Sequence, residues 1–327
     1  MTDFKTIFGK KIKFQTSDLT MSSATEGELF YSSADSKFKV GVTVEAWASG
    51  GNLNTGRNGQ CAFGNQTDLV ACGGFVGTPE PADEDAKSEV EEYNGSAWSE
   101  VTDLPTKRSS ASASGASQTS GLVVGGIHTN QVTSVEYDGT NWTAGGDVPA
   151  VSRMAAQCGT QTAALRCGGA GNPGPALNQT LEYDGSSWTA GENMPHAEYG
   201  HTMVGTQTAS VFSGGHNAPT EDNLFLYDGT DWSTSPVSLG TKMNNNAGSA
   251  ANGTQTAALF FGGAPAVTAT QFYDGTSVTA KPALGTGRYV GGSGGTATAA
   301  ILAGGTSDSD ATEEFTSAVT LKTVTDS

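Results

Sequence analysis

Charge and helix-forming sequence are both scarce in this chain, and each scarcity excludes something. Only 15 % of its 327 residues are charged, and 45 are glycine. With Thr, Ser and Ala filling most of the remainder, the composition disfavours helices and suits many short strands joined by tight turns. We find no amphipathic helical period in the chain, and no apolar run approaches the roughly 20 residues that span a bilayer. Met1–Lys13 lacks the apolar core of a secretory signal. A soluble protein made in the cytoplasm is therefore expected.

Basic residues are scarcer still, 16 Lys and Arg against 33 Asp and Glu, a net charge of −17. Residues 1–40 hold six Lys against five acidic residues, which leaves ten against 28 in residues 41–327. A body so negative repels nucleic-acid phosphates and anionic headgroups, so neither nucleic acid nor membrane is expected as a partner. The four cysteines, Cys61, Cys72, Cys158 and Cys167, lack zinc-type CxxC spacing. They read as small buried filler, with a disulfide within either pair left open if the strands carrying them are neighbours.

What is present is a repeat. Gly159-Thr-Gln-Thr-Ala-Ala-Leu-Arg-Cys-Gly168-Gly169 recurs closely at Gly205–Gly215 and Gly253–Gly263, with looser versions ending at Gly73-Gly74, Gly125-Gly126 and Gly304-Gly305. The glycine pairs lie 52, 43, 46, 48 and 42 residues apart, the period of propeller blades. Each full unit runs from a Trp to a Tyr: Trp47 to Tyr93, Trp98 to Tyr137, Trp142 to Tyr183, Trp188 to Tyr227 and Trp232 to Tyr273. In the sixth, Val278 and Phe315 stand in the Trp and Tyr places. Tyr137-Asp-Gly-Thr-Asn-Trp142 and its counterparts predict a two-residue hairpin at Asp-Gly, with positive φ at both positions.

Four strands per unit then give six blades. Because the chain starts with the Trp47 strand and ends with the Phe315 strand, pairing the two ends would close the ring and leave no raw sheet edge. Residues 1–40 stand outside the repeat. Lys10–Phe14 alternates like a strand, and Glu28–Val40 reads as a hairpin turning at Ser33–Ser36. Strands so few cannot bury a core alone, so this segment is expected to be an attachment arm on a propeller spanning residues 41–327.

Paired glycines after an apolar strand, then Tyr, then Trp, at this period, resemble kelch-repeat β-propellers over residues 46–318. The Tyr-to-Trp interval is slightly shorter than the usual kelch pattern. The wording of the repeats, with Lys11-Ile-Lys-Phe and Glu26-Gly-Glu-Leu-Phe-Tyr-Ser-Ser-Ala-Asp-Ser-Lys in the arm, is similar to structural, tail-fibre-like virion proteins of tailed phages that infect marine cyanobacteria. That resemblance implies a virion protein made in the host cytoplasm and oligomeric on the particle. Its residues 1–40 would bind other virion proteins, and its propeller would display loops to a host-surface glycan or receptor. A capsid or tail decoration without a host ligand, and a propeller-type glycan hydrolase or lyase, are the alternatives.

A basic residue sits ten or eleven positions after the Trp, or its Val stand-in, in five units: Arg57, Arg108, Arg153, Lys242 and Arg288. Glu precedes the Tyr or Phe in four of those units, at Glu92, Glu136, Glu182 and Glu314. The fourth unit has Leu226 at the acidic place and Glu198 at the basic one. This co-occurrence predicts a structural ring in which each Arg is paired with one of these carboxylates, since a desolvated guanidinium needs a partner. The competing reading is an anion or glycan-carboxylate site near one mouth of the channel.

His196, His201 and His216, with Glu198 and Asp222, offer zinc-ligand chemistry without convergent spacing. Seven acidic residues in Thr78–Glu92 could hold calcium, but the EF-hand-like spacing with its central Gly is missing, and Asp308-Ser-Asp310 is a weaker case. Gly291-Gly-Ser-Gly-Gly295 fits the nucleophile-elbow pattern outside its strand–turn–helix setting. The Tyr-Asp-Gly-x-x-Trp turn is one residue short of a sialidase Asp-box, and the arginines are too dispersed for a sialidase triad. No catalytic residue, cofactor or metal is expected.

Overall fold

A computed structural model describes residues 13–22, 25–77, 85–128, 132–171, 174–216, 222–243, 248–249 and 251–324. They form 26 β-strands, and no helix among the described residues is long and apolar enough to cross a membrane. The chain divides into two compact units, Met1–Ala46 with Thr316–Ser327, and Trp47–Phe315. The smaller unit is built on β1 (Lys13–Gln15), β2 (Leu29–Ser32) and β3 (Lys37–Ser49). β1 runs parallel to β2, and β2 turns through residues 33–36 into β3, antiparallel, with Leu29 opposite Val40 and Tyr31 opposite Phe38. The expected boundary after residue 40 falls inside β3, which continues unbroken into the larger unit. Lys10–Ile12 of the expected first strand lie outside the described residues.

The larger unit is a six-bladed β-propeller, each blade a small antiparallel sheet. Blade 1 comprises β4 (Cys61–Asn65), β5 (Asp68–Cys72), β6 (Val90–Tyr93) and β7 (Trp98–Glu100). Blade 2 comprises β8 (Ser112–Ser117), β9 (Ser120–Val124), β10 (Ser134–Tyr137) and β11 (Trp142–Ala144). Blade 3 comprises β12 (Ala156–Thr160), β13 (Ala163–Cys167), β14 (Thr180–Tyr183) and β15 (Trp188–Ala190). Blade 4 comprises β16 (His201–Thr206), β17 (Ala209–Gly214), β18 (Asn223–Tyr227) and β19 (Trp232–Ser238).

Blade 5 comprises β20 (Gly248–Ser249), β21 (Ala258–Phe261), β22 (Thr270–Tyr273) and β23 (Val278–Lys281). Blade 6 takes β24 (Gly292–Thr296), β25 (Ala299–Ala303) and β26 (Thr312–Thr323) from one end of the chain and β3 from the other, in the order β3-β26-β25-β24. The ring therefore closes as the repeat phase predicts, with the Trp47 indole 5.4 Å from the Phe315 ring.

The turn between the Tyr and Trp strands differs from the expected two-residue hairpin. Tyr137 pairs directly with Trp142, so the loop has four residues, and positive φ falls on Gly139 but not on Asp138. The Asp138 carboxylate instead accepts from the Thr140 and Asn141 amides, and Asp184, Asp228 and Asp274 do the same in their blades. This side-chain turn mimics a backbone turn. The glycine pairs have a different task. The second glycine of five pairs donates its N–H to the linker that enters the next blade, as from Gly74 to Arg108 O and from Gly169 to Glu198 O, both 2.8 Å. A Cβ at Gly73 would lie 2.3 Å from Arg108 O, so only glycine permits that approach.

The apolar core is not central. Six separate clusters occupy the six seams between blades, one of them Phe63, Val70 and Cys72 of blade 1 against Val123, Val135 and Tyr137 of blade 2. Trp47 belongs to the cluster joining blades 5 and 6. Half-buried, it covers Phe261 at 4.9 Å. Trp47→Ala should lower unfolding stability by roughly 2–3 kcal/mol, below the full cost of an entirely buried indole. Denaturant unfolding monitored by far-UV circular dichroism checks this, and a change below about 0.5 kcal/mol would mean that β3 does not close the ring.

Candidate functional site: seams, linker ring and channel

The four glutamates assigned to the arginines are used elsewhere. Each accepts a hydrogen bond from the tyrosine of the next blade. Tyr137 Oη donates to Glu92 (2.9 Å), Tyr183 to Glu136 (2.7 Å), Tyr227 to Glu182 (2.5 Å), and Tyr93 to Glu314 (2.5 Å), across the last seam to close. Two seams lack this bond. Tyr273 follows Leu226 and donates to Gly275 O in its own turn. Phe315 follows Phe272, and the two pack in one apolar cluster.

Two further clasps cross the seams. Indole N–H groups donate to a hydroxyl three residues before the Tyr or Phe of the preceding blade: Trp98 to Thr312, Trp188 to Ser134, Trp232 to Thr180 and Trp47 to Thr270, at 2.9–3.0 Å. The preceding blade offers Val90 to Trp142, which donates to Thr102 O instead. The glutamine of the Gly-Thr-Gln-Thr signature is the third clasp. Gln118, Gln161, Gln207 and Gln255 donate to the carbonyls of Tyr93, Tyr137, Tyr183 and Tyr227, and Gln66 to that of Phe315.

The linker ring is real but its membership is corrected. The carbonyls that meet the glycine pairs belong to Arg57, Arg108, Ser152, Glu198 and Arg288, and Met243 O fills the place beside Gly214. Arg153 and Lys242 are one residue off the ring, and Arg153 is half-buried while Lys242 is exposed. Arg57 pairs with Glu91 (2.8 Å) and Arg288 with Glu313 (2.8 Å), each one residue before the expected glutamate. The reason is strand alternation: successive side chains leave opposite faces, so the residue next to Tyr points to the seam and the one before it to the linker. Glu91 also accepts from the Asn54 backbone and Glu313 from those of Gly285 and Thr286.

Arg108, only 1 % exposed, meets no carboxylate among the described residues. It donates to Gly125 O, Thr133 O and Thr133 Oγ1, and burial lowers its pKa to about 10. At Ser152 the guanidinium comes from a different strand. Arg166 reaches Ser152 Oγ (2.7 Å), Ser152 O (3.1 Å) and Ser112 Oγ (2.8 Å).

Inner strands of all six blades surround a central cavity of about 90 Å³, with Cys61, Ser112, Gln157, His201, Ala251 and Ser293 on its wall. Small-molecule sites occupy about 300–1,000 Å³, so this space suits about three waters at ~30 Å³ each. Ser293 of the elbow-like motif lies mid-strand in β24 opposite Leu302, without the strand–turn–helix of a nucleophile. A larger groove of about 370 Å³ lies on blade 5 beside Val278, bounded by Ser238, Thr241 and Lys281. Its Gln271 amide is already engaged by both the N–H and the C=O of Thr241.

The three histidines of the fourth unit go separate ways. His196 is exposed against Phe225, His216 is exposed against Tyr199, and His201 is buried with Nε2 3.0 Å from Cys167 O. Burial pushes the His201 pKa down to about 3, so its imidazole stays neutral. Among the described residues, no three His, Cys, Asp or Glu side chains group as metal ligands. Residues 78–84 of the acidic insertion lie outside the described residues. Asp308 and Asp310 accept from Asn58 and Asn52, tying the blade 6 loop to the first linker. All four cysteines are free and buried. Cys61 lies opposite Cys72, whereas Cys158 and Cys167 face Leu165 and Ala156.

No protein-family model matches the sequence, and no curated protein shows significant similarity to it.

Three outcomes follow from this geometry. Tyr183→Phe leaves Glu136 without its donor and should cost about 1–2 kcal/mol. Combined with Glu136→Leu, which copies the apolar couple at Phe272 and Phe315, the loss should fall short of the sum, with a coupling of about 0.5–1.5 kcal/mol in a double-mutant cycle. Arg57→Met strands the buried Glu91 and should cost about 3–5 kcal/mol, partly recovered by adding Glu91→Leu. Arg108→Met strands no carboxylate and should cost less.

The seam tyrosines also set the alkaline limit. Burial first, and then the neighbouring glutamate, push Tyr93 and Tyr183 up to about 12, against about 10 in the unfolded chain. A folded-state pKa raised in this way contributes stability fully below pH 10 and loses it as pH climbs through 12. Melting temperature should therefore fall between pH 10 and 12, and less steeply in Tyr183→Phe.

Proposed function

We propose that this chain is a virion surface protein of a tailed phage, in which the smaller unit attaches to the particle and the propeller is a displayed binding module. The observation that carries this reading is the unequal division of charge and exposed apolar surface between the units. Residues 47–315 hold nine basic and 26 acidic residues, while the smaller unit holds seven of each, so the whole charge of −17 belongs to the propeller. Of the five exposed large apolar side chains among the described residues, Leu29, Phe38, Val44 and Val324 belong to the smaller unit. Leu29 and Phe38 stand on one sheet face, since their strand partners Val40 and Tyr31 share it. An exposed apolar stripe rimmed by charge marks an interface, and a neutral unit can approach other proteins without the repulsion that the propeller meets.

The wording of the repeats and of the arm, which resembles that of cyanophage tail-fibre-like proteins, supports the same assignment. The small central cavity and the separated histidines favour a binder over a glycan-cleaving enzyme. Such a propeller would offer its loops to a host-surface glycan, a receptor or a neighbouring virion protein. Mass spectrometry and cryo-electron microscopy of intact particles test the proposal. Propeller density on the particle surface, held through residues 1–46, is expected, and absence from purified virions overturns it. In solution, the full chain should self-associate or bind a virion protein by light scattering, and Leu29→Thr/Phe38→Thr should weaken that association without changing the melting temperature. A variant that still joins the particle would place docking on the propeller.

A further inference from the structure

Three clasps at each of six seams would make eighteen; one is altered, Trp142 donating to Thr102 O in place of a hydroxyl, and the four that are missing outright all flank one blade. At the seam between blades 4 and 5, Leu226 cannot accept from Tyr273, and Val278 has no N–H to give. Among the described residues Gln255 is the one clasp left, to Tyr227 O and Ser210 O at 2.9 Å, beside a backbone bond from Gly205 N–H to Ala251 O at 3.3 Å. At the seam between blades 5 and 6, Phe315 has no hydroxyl and Ala297 stands where the signature glutamine belongs. Among the described residues Trp47 is the one clasp left, to Thr270 at 2.9 Å, beside backbone bonds from Asn252 N–H to Gly295 O at 3.0 Å and from Gly263 N–H to Arg288 O at 2.9 Å. The losses are matched by apolar neighbours: Leu224, Leu226 and Val278 share one cluster, and Phe272 and Phe315 another. The 370 Å³ groove on blade 5 opens where its indole is missing.

We infer that blade 5 is the sector through which the propeller opens, and that the junction of the two chain ends in blade 6 is not. Chain connectivity alone points the other way, because blade 6 is the one blade assembled from distant segments. Yet the seam that joins blade 6 to blade 1 carries all three clasps, Tyr93 to Glu314, Trp98 to Thr312 and Gln66 to Phe315. Apolar packing resists separation without fixing orientation, whereas directional bonds between buried groups hold one arrangement. Blade 5 is held by two clasps across its two seams, blades 4 and 6 by four each and blades 1, 2 and 3 by six each, so blade 5 has the lowest cost of sub-global opening.

Native-state hydrogen exchange of the full chain, read by mass spectrometry, tests this. Amides of Ala258–Phe261 and Thr270–Tyr273 should exchange about tenfold or more faster than their counterparts in blades 2, 3 and 6. Ala297→Gln, a substitution in a surface turn, restores one clasp and should slow exchange in blade 5 about three- to tenfold while leaving blades 2 and 3 unchanged. Fastest exchange in blade 6, or equal exchange in all blades, overturns the inference. So does an Ala297→Gln variant that folds with unaltered exchange in blade 5.

Discussion

A tyrosine hydroxyl reaching across a seam to the glutamate of the preceding blade is the contact that gives the ring its geometry. A four-stranded sheet of short strands has too little apolar area to stand alone, and here each blade can bury its faces only against its neighbours. The apolar clusters supply the attraction, but they would tolerate sliding. Bonds from Tyr, Trp and Gln fix how one blade sits on the next. The Tyr is buried and its Glu half-buried, so the bond is largely shielded from water and holds one arrangement. Where it is absent no polar group is stranded: Phe272 and Phe315 are apolar together, and Tyr273, left facing Leu226, donates to Gly275 O in its own turn.

Much of this was legible in the sequence, and what was not has an identifiable cause. Period, phase and turn residues gave blade number, strand order and closure through β3, because those depend on chemistry local to each repeat. The co-occurrence of Arg and Glu is also visible, but the spacing points to glutamates one residue from the true partners. Glu92 and Glu91 are adjacent in a strand and point to opposite faces, and no periodicity tells which face meets the tyrosine of another blade. The signature glutamines were visible in the text and had no assigned role, since their acceptors are backbone carbonyls some 24–28 residues earlier, or some 250 residues away for Gln66. The correlated replacement of Tyr by Phe and Glu by Phe was the available signal, and it was there to be found once units were compared with their neighbours.

Arg166 shows how the ring tolerates loss at one repeat position. A guanidinium is present beside the linker of blades 1, 2 and 6 from the linker itself, and beside that of blade 3 from a strand. The linker carbonyls and hydroxyls need a rigid, multiply donating group near them, and the backbone origin of that group matters less than its reach. A counterion follows only where a carboxylate is within range, which is why Arg57 and Arg288 have one and Arg108 does not.

The location of the whole net charge of −17 on the propeller bears on crowding. Like-charged bodies side by side repel over a Debye length, about 8 Å at 0.15 M salt and about 3 Å at 1 M. Copies of this chain held close together by a neutral base would splay apart in dilute medium and stand shoulder to shoulder in brine. The spacing of such an array would then be set by the surrounding water as much as by the surface that carries it.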